Sequence, residues 1–192
     1  MLKLILASSS PYRQQLLARL GVSFECVSPD IDEQTLENEN PDDYVLRLSR
    51  EKAVKIGEIR EKSLIIGSDQ CAVCEQQIIG KPGAHDKAVQ QLSQLSGKHV
   101  VFITGVTVLN SQSGEMRTWA DHYTIKFRTL QASEIERYLA SDQPYNCAAS
   151  FKSESLGIAL CESMQGDDPS ALIGLPLLKV AQQLRDFGLV IP

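Results

Sequence analysis

The stretch LKLILASSSPYR, from Leu2 to Arg13, constrains the fold of this chain more than any other. Leu2 to Ala7 is an almost unbroken apolar run, which suits a strand buried on both faces. Ser8, Ser9 and Ser10 end the run. Ser10 falls at an N-cap position and Pro11 at the first helical position, with Leu16, Leu17 and Leu20 continuing the helix and Gly21 stopping it. A strand feeding straight into a capped helix gathers unpaired N–H groups and a positive dipole end at the turn, which makes an anion site. Arg13 in the first turn opposes that dipole by roughly 0.3–1 kcal/mol unless an anion shares the place. An ordinary strand–turn–helix with a solvated arginine reads equally well from these residues alone.

The rest of the chain extends the pattern. Phe24–Val27 predicts a strand, followed by the acidic loop Asp30-Ile31-Asp32-Glu33. Asn40 and Pro41 open a second helix with Asp42 and Asp43 in its acidic first turn. Val45, Leu48, Ser49, Ala53 and Ile56 share one face of it, and Lys52 falls in the middle of that face. A lysine there must snorkel or meet an anion, and snorkelling is the commoner outcome. Leu64–Ile66 predicts a buried strand leading into Gly67-Ser68-Asp69-Gln70, so Asp69 is expected at a strand's carboxyl end, where ligands gather in α/β sheets. A hairpin around Glu75–Gln77 leads to Ile79-Gly80-Lys81-Pro82, with Lys81 between turn formers. Helical spacing resumes from Ala88 to Leu95, and a long β-rich segment covers His99–Leu109. Alternation at Tyr123, Ile125 and Phe127 predicts another strand. Ser133-x-x-Glu136 matches a capping box, Leu156–Leu160 reads as a strand, and Leu175-Pro176 starts the last helix. These signals predict an α/β fold: a single domain over residues 1–192 with an elongated mixed sheet flanked by helices, and room for a cleft between two lobes.

Composition closes off several function classes. With 192 residues, 43% of them hydrophobic, the chain can bury a sizeable core. A net charge of −5 argues against nucleic-acid and anionic-membrane partners. No apolar run has the length of a membrane span and no signal peptide is evident, so the expectation is a cytoplasmic protein. Cys26, Cys71, Cys74, Cys147 and Cys161 are odd in number and scattered, unlike a disulfide framework. Cys71 and Cys74 lie on a predicted strand, where residues three apart face opposite sides. His85, His99 and His122 have no ligand spacing, and no P-loop, dinucleotide fingerprint or serine-hydrolase arrangement occurs.

What remains is a constellation. Ser10, Arg13, Lys52 and Lys81 offer a helix N-terminus and cations for phosphate, while Glu33 and Asp69 offer carboxylates. Carboxylates meet phosphates only through a divalent metal, and hard oxygen ligands suit Mg²⁺ or Mn²⁺. Both sets together are what metal-assisted hydrolysis of a polyphosphate requires.

LILASSSPYR with its S-x-x-R, the Asp32-Glu33 loop, RLSREKA, IIGSDQ, IIGKP, SFKSESLGIAL and IGLPL occur in this order from Leu2 to about Leu178. In that order they resemble the signature segments of the Maf family of nucleoside triphosphate pyrophosphatases. SPYR, SDQ and SFKSE are similar to the branch that acts on 7-methyl-GTP. The pyrimidine branch typically carries Arg, Thr and Gln where this chain has Tyr12, Gln70 and Glu154. The resemblance implies a Maf/ITPase-like fold and hydrolysis between the α- and β-phosphates, giving a nucleoside monophosphate and pyrophosphate. It implies Asp69 as proton acceptor for the attacking water, with Glu33 and Asp69 holding the metal. Ser10, Arg13, Lys52 and Lys81 would bind the phosphates, and Tyr12, Gln70 and Glu154 would read the base. Ala149 and Ser155 stand where small residues, often glycine, are expected in relatives. A homodimer is compatible with the sequence. The alternative reading is a non-catalytic nucleotide-binding regulator linked to cell division, since the family name is associated with septum formation.

Overall fold

The computed structural model describes residues 2–191. The strands are β1 (Lys3–Ala7), β2 (Glu25–Cys26), β3 (Ser63–Cys74), β4 (Gln77–Ile79), β5 (His99–Asn110), β6 (Met116–Phe127) and β7 (Cys161–Gln165). The helices are α1 (Pro11–Ala18), α2 (Pro41–Gly57), α3 (His85–Leu95), α4 (Ala132–Asp142), α5 (Pro169–Ile173) and α6 (Leu177–Asp186). The strands form one seven-stranded sheet in the order β2-β1-β3-β5-β6-β7, with β4 paired to β3. β1 lies parallel to both β2 and β3, whereas β4 on β3 and β7 on β6 are antiparallel. The expected α/β class and mixed sheet are therefore present. The chain groups into two compact units. One holds the residues up to Gln70, Thr104–Asp121 and the chain from Gly174 onward, the other Cys71–Ile103 and His122–Ile173.

In the first unit, Leu4–Ala7 and Leu64–Ile66 are buried on neighbouring parallel strands, as continuous apolar runs should be. α2 packs on this sheet through Val45, Leu48, Ala53 and Ile56. Two glycines set its distance. A Cβ on Gly67 of β3 would lie 2.1 Å from Ser49 O, and one on Gly105 of β5 would lie 2.3 Å from Val45 O. Only glycine allows helix and sheet backbones to meet so closely. Ser49 Oγ then pairs with Thr107 Oγ1 at 3.0 Å, and Thr107 Oγ1 with Thr118 Oγ1 at 2.9 Å, so the buried hydroxyls are satisfied.

In the second unit, the core gathers Leu92, Leu95, Phe102, Phe127, Leu139 and Phe151. The Phe151 ring meets Phe102 at 5.7 Å and Phe127 edge-on at 5.5 Å.

Three local expectations differ from the structure, and one helix has no counterpart among the expected elements. β3 does not stop at Ile66 but runs unbroken to Cys74, so Asp69 lies within a strand. It is the neighbour that ends: β1 stops at Ala7, opposite Gly67, so Asp69 lies just past the carboxyl end of β1. α4 begins at Ala132, where Gln131 N donates to Glu134 at 2.9 Å, instead of at the Ser133–Glu136 pair. Leu156–Leu160 is a 3₁₀ segment and the strand is Cys161–Gln165. Asp142 accounts for this, because its carboxylate accepts from Ser155 Oγ at 2.8 Å and Leu156 N at 2.9 Å and turns the chain. An unexpected helix, α5, follows Asp168, whose side chain accepts from Ser170 N at 2.8 Å. None of the five cysteines is in a disulfide.

Candidate active site

The β1–α1 turn folds as its residues require. Ser10 is extended at the N-cap and its Oγ accepts from Arg13 N at 3.5 Å, while Ser10 N donates to Ser8 Oγ at 3.1 Å. Arg13 in the first turn of α1 donates Nε to Gly174 O at 2.9 Å. Burial pulls the Arg13 pKa down, and the negative charges of Asp69 and Glu33 oppose that pull. The anions that relieve a cation at this helix end are thus partly supplied by the protein itself.

Lys52 settles its own ambiguity. It does not snorkel. At 5% exposure its ammonium lies 2.6 Å from Asp69 Oδ1 and 2.6 Å from Glu33 Oε1. Asp69 is 7% exposed, whereas the Glu33 side chain is 54% exposed and reaches in from a loop. α2 fixes that loop. Tyr44 OH donates to Glu33 O at 3.0 Å, and Arg47 donates to Gln34 O at 2.9 Å and clamps Glu39 at 2.6 and 2.8 Å. The hydrogen bonds from Arg47 hold the Glu39 carboxyl below the usual carboxylate range. One element therefore supplies both the cation and the restraint on the second carboxylate.

Successive residues of β3 point to opposite faces of the sheet. Gly67 and Asp69 face α2, so Ser68 and Gln70 face the other way. Ser68 Oγ donates to Gly174 O at 2.9 Å, the carbonyl that also takes Arg13, and Gln70 Nε2 donates to Thr104 Oγ1 at 2.9 Å. Tyr12 is half-buried in the first turn of α1. In the first unit the fold thus gathers Arg13, Glu33, Lys52 and Asp69 into one charged cluster.

The second unit carries Lys81 and Glu154. Lys81 is exposed between Gly80 and the buried Pro82, and Glu154 is exposed on a turn beside Ser153. Ser68, Thr104 and Gly174 were not singled out from sequence. Gly174 had a readable signal, a glycine before Leu-Pro in IGLPL. Its φ of +120° is one that favours glycine, and a Cβ there would meet Arg13 Nε at 3.3 Å.

Among the described residues, no group of three or more His, Cys, Asp or Glu side chains is arranged to hold a metal. Mg²⁺ does not require one, since it commonly uses one or two carboxylates together with water and substrate phosphates. Glu33 and Asp69 already share a single cation, the Lys52 ammonium, so this donor pair fits a divalent ion. No helix among the described residues is long and apolar enough to cross a membrane.

A family described as Maf-like protein matches residues 3–187. The 7-methyl-GTP pyrophosphatase of Nitrosococcus oceani is 50% identical over 96% of this chain and 93% of its own length. The proteins of that name from Alcanivorax borkumensis and Pseudomonas putida are 49% and 46% identical, over 98% and 100% of this chain and 96% and 100% of their own lengths. Among solved structures, the Staphylococcus aureus Ham1 protein aligns with a TM-score of 0.42 at 13% identity, over 66% of this chain and 72% of that one. That likeness is too loose to inform the fold.

Proposed function

Since this chain belongs to the Maf family, we propose that it hydrolyses 7-methyl-GTP to 7-methyl-GMP and pyrophosphate, removing a modified nucleotide. The observation that carries the mechanism is the Lys52 ammonium held 2.6 Å from both Asp69 and Glu33 in a largely buried site. Asp69 accepts the proton of the attacking water, and Lys52 fixes the orientation of its carboxylate. Arg13, Lys52, Ser10 and Lys81 meet the triphosphate; for Lys81, on the second unit, the support is the resemblance of IIGKP to the family segment. Arg13 is forked and planar and suits phosphate oxygens, and Ser10 adds a hydroxyl at the helix N-terminus.

The charge balance supports a metal requirement. Arg13 and Lys52 against Glu33 and Asp69 leave the cluster formally neutral, which offsets little of a triphosphate. Glu33 and Asp69 are the residues that would hold Mg²⁺ or Mn²⁺, and such an ion would supply Lewis-acid stabilisation of phosphate charge. Tyr12, Gln70 and Glu154 read the base. N7-methylation leaves guanine with a delocalised positive charge that Tyr12 can stack on and Glu154 can face, and Glu154 can accept from the donors of the guanine edge.

The test is a screen of purified protein against canonical and methylated nucleoside triphosphates with Mg²⁺ and Mn²⁺, detecting pyrophosphate. Preferential turnover of 7-methyl-GTP, lost in excess chelator, is expected. Nucleotide binding without any turnover would replace this reading with that of a division-linked regulator.

A further inference from the structure

Within the second unit, one side chain of α3 touches both loops implicated above. Gln91 Nε2 donates to Gly80 O at 3.1 Å, beside Lys81, and Gln91 Oε1 accepts from Ser150 Oγ at 2.6 Å. Gly80 O also accepts from Ala149 N at 3.3 Å. The two ends of one amide thus tie the Lys81 loop to the segment that leads into Lys152 and Glu154. That segment is strained. Ala149 and Ser150 are successive non-glycine residues at φ +54° and +53°, and both are fully buried. Such conformations persist only where the surroundings over-determine them. Tyr138 adds a further restraint, since its OH donates to Ser150 O at 3.2 Å and accepts from Lys152 N at 3.0 Å. None of these contacts has a part in the proposed proton transfer.

We propose that Gln91 is a positioning residue that couples the Lys81 loop to the Glu154 loop and so sets the separation of the two. A nucleotide presents triphosphate and base at a limited span, so an enzyme that grips one end and reads the other must hold its own two groups at a matching span. Helix α3 provides a rigid mount, and the Gln91 amide, with a donor on one side and an acceptor on the other, reinforces the direct Ala149 N–Gly80 O bond between the loops. The strained Ala149–Ser150 turn is the element the coupling protects. This inference rests on the reading in which Lys81 meets phosphate and Glu154 meets the base.

The experiment compares wild type, Gln91→Leu, Gln91→Glu, Gln91→Leu with Ala149→Gly, and Ser93→Ala, whose hydroxyl bonds Val89 O on the exposed side of α3. Three readouts are taken: kcat/KM for 7-methyl-GTP and UTP, Tm, and amide hydrogen exchange of residues 80–83 and 149–155. Gln91→Leu should raise exchange in both loops together. It should also lower kcat/KM for 7-methyl-GTP about tenfold and narrow the preference over UTP, with Tm nearly unchanged. Gln91→Glu keeps the acceptor for Ser150 but loses the donor to Gly80, so it should loosen 80–83 more than 149–155. Adding Ala149→Gly relieves the strained turn and should return protection to 149–155. Ser93→Ala should match wild type. Exchange that rises in one loop or neither in Gln91→Leu overturns the coupling, and so does an intact substrate preference when both loops have loosened. Should wild type itself fail to hydrolyse 7-methyl-GTP, the proposed function falls, while the exchange readout still decides the coupling.

Discussion

The two units of this protein hold the groups proposed for its site by different means. In the first, Asp69 and Lys52 sit on a strand and a helix, and ionic contacts at 2.6 Å fix them in a buried place. In the second, Lys81 and Glu154 stand exposed on loops, and hydrogen bonds with Gln91, Tyr138 and the Asp142 carboxylate hold the chain around them. The difference matches the roles proposed for Asp69, at the reacting centre, and for Glu154, at the base. Groups that act on a reacting centre gain from rigid elements and low dielectric. Groups that recognise one ligand among several can sit on loops, provided the scaffold limits their excursion. Substitutions should therefore have unequal and different consequences in the two units.

The largest effect is expected at Asp69. Asp69→Asn exchanges a carboxylate for a near-isosteric amide, and loss of general-base assistance alone should lower kcat by about 10²–10⁴-fold. Circular dichroism should show the fold retained. Activity close to that of wild type would remove Asp69 from the mechanism.

Lys52→Ala, Arg13→Ala and Lys81→Ala come next, and here the units should separate. Each loses a charge-assisted contact worth on the order of 1.5–3 kcal/mol, so kcat/KM should fall at least tenfold. Lys52→Ala also leaves Asp69 buried without its cation, which should cost about 3–5 kcal/mol of stability. Lys81 is exposed, and Lys81→Ala should leave Tm unchanged. Lys55, one turn from Lys52 on α2 but exposed, is the control, and Lys55→Ala should be silent in both assays. Equal loss of stability in Lys52→Ala and Lys81→Ala would erase the contrast between the units.

How far these features could be read in the sequence follows from the range of the contacts behind them. The Ser10 cap, the Pro11 start and the buried face of α2 rest on neighbours within a turn or two, and periodicity exposes them. Lys52 in the middle of that face was legible as a problem, but its answer needed Asp69, seventeen residues away on β3. The continuity of β3 past Ile66 was hidden because Gly67 and Ser68 mimic a strand end. Their smallness instead admits α2 on one face and a bond to Gly174 on the other. Leu156–Leu160 misleads in the same way, since an apolar run cannot show that Asp142 caps its first residues. Gln91 gave no signal at all. An amide on a polar helix face looks solvated until the loops it bridges are seen in place.

Base selectivity should respond more modestly. Tyr12→Arg, Gln70→Thr and Glu154→Gln together should lower kcat/KM for 7-methyl-GTP and raise it for dTTP or UTP, with a cation–π loss of about 0.5–2 kcal/mol at Tyr12. Gln70 faces away from Asp69 and bonds Thr104, so Gln70→Thr alone should change least. An unaltered order of substrates in the triple variant would show that these residues do not read the base.

The smallest expected effect tests the loop restraint through pH. Burial of Tyr138, with Asp142 nearby, raises its pKa above the ordinary tyrosine value, and the bond from Lys152 N opposes this only in part. The folded state therefore keeps the proton when the unfolded chain, with a pKa of about 10, has released it. Stability from this group is complete below about pH 10 and declines as pH rises beyond it, with a slope of up to about 1.4 kcal/mol per pH unit. Tyr138→Phe lacks the titration but also lacks the two hydrogen bonds to the Ser150–Lys152 backbone, each worth about 1 kcal/mol. At pH 8 the variant should thus be the less stable protein by denaturant titration. Toward pH 11 the gap should close, because wild type loses stability that the variant never had. Groups that titrate in both proteins cancel in the difference, so a gap that stays constant across this range would mean that the Tyr138 hydroxyl is not held neutral inside the fold. It would then be too loosely placed to restrain the loop that carries Glu154.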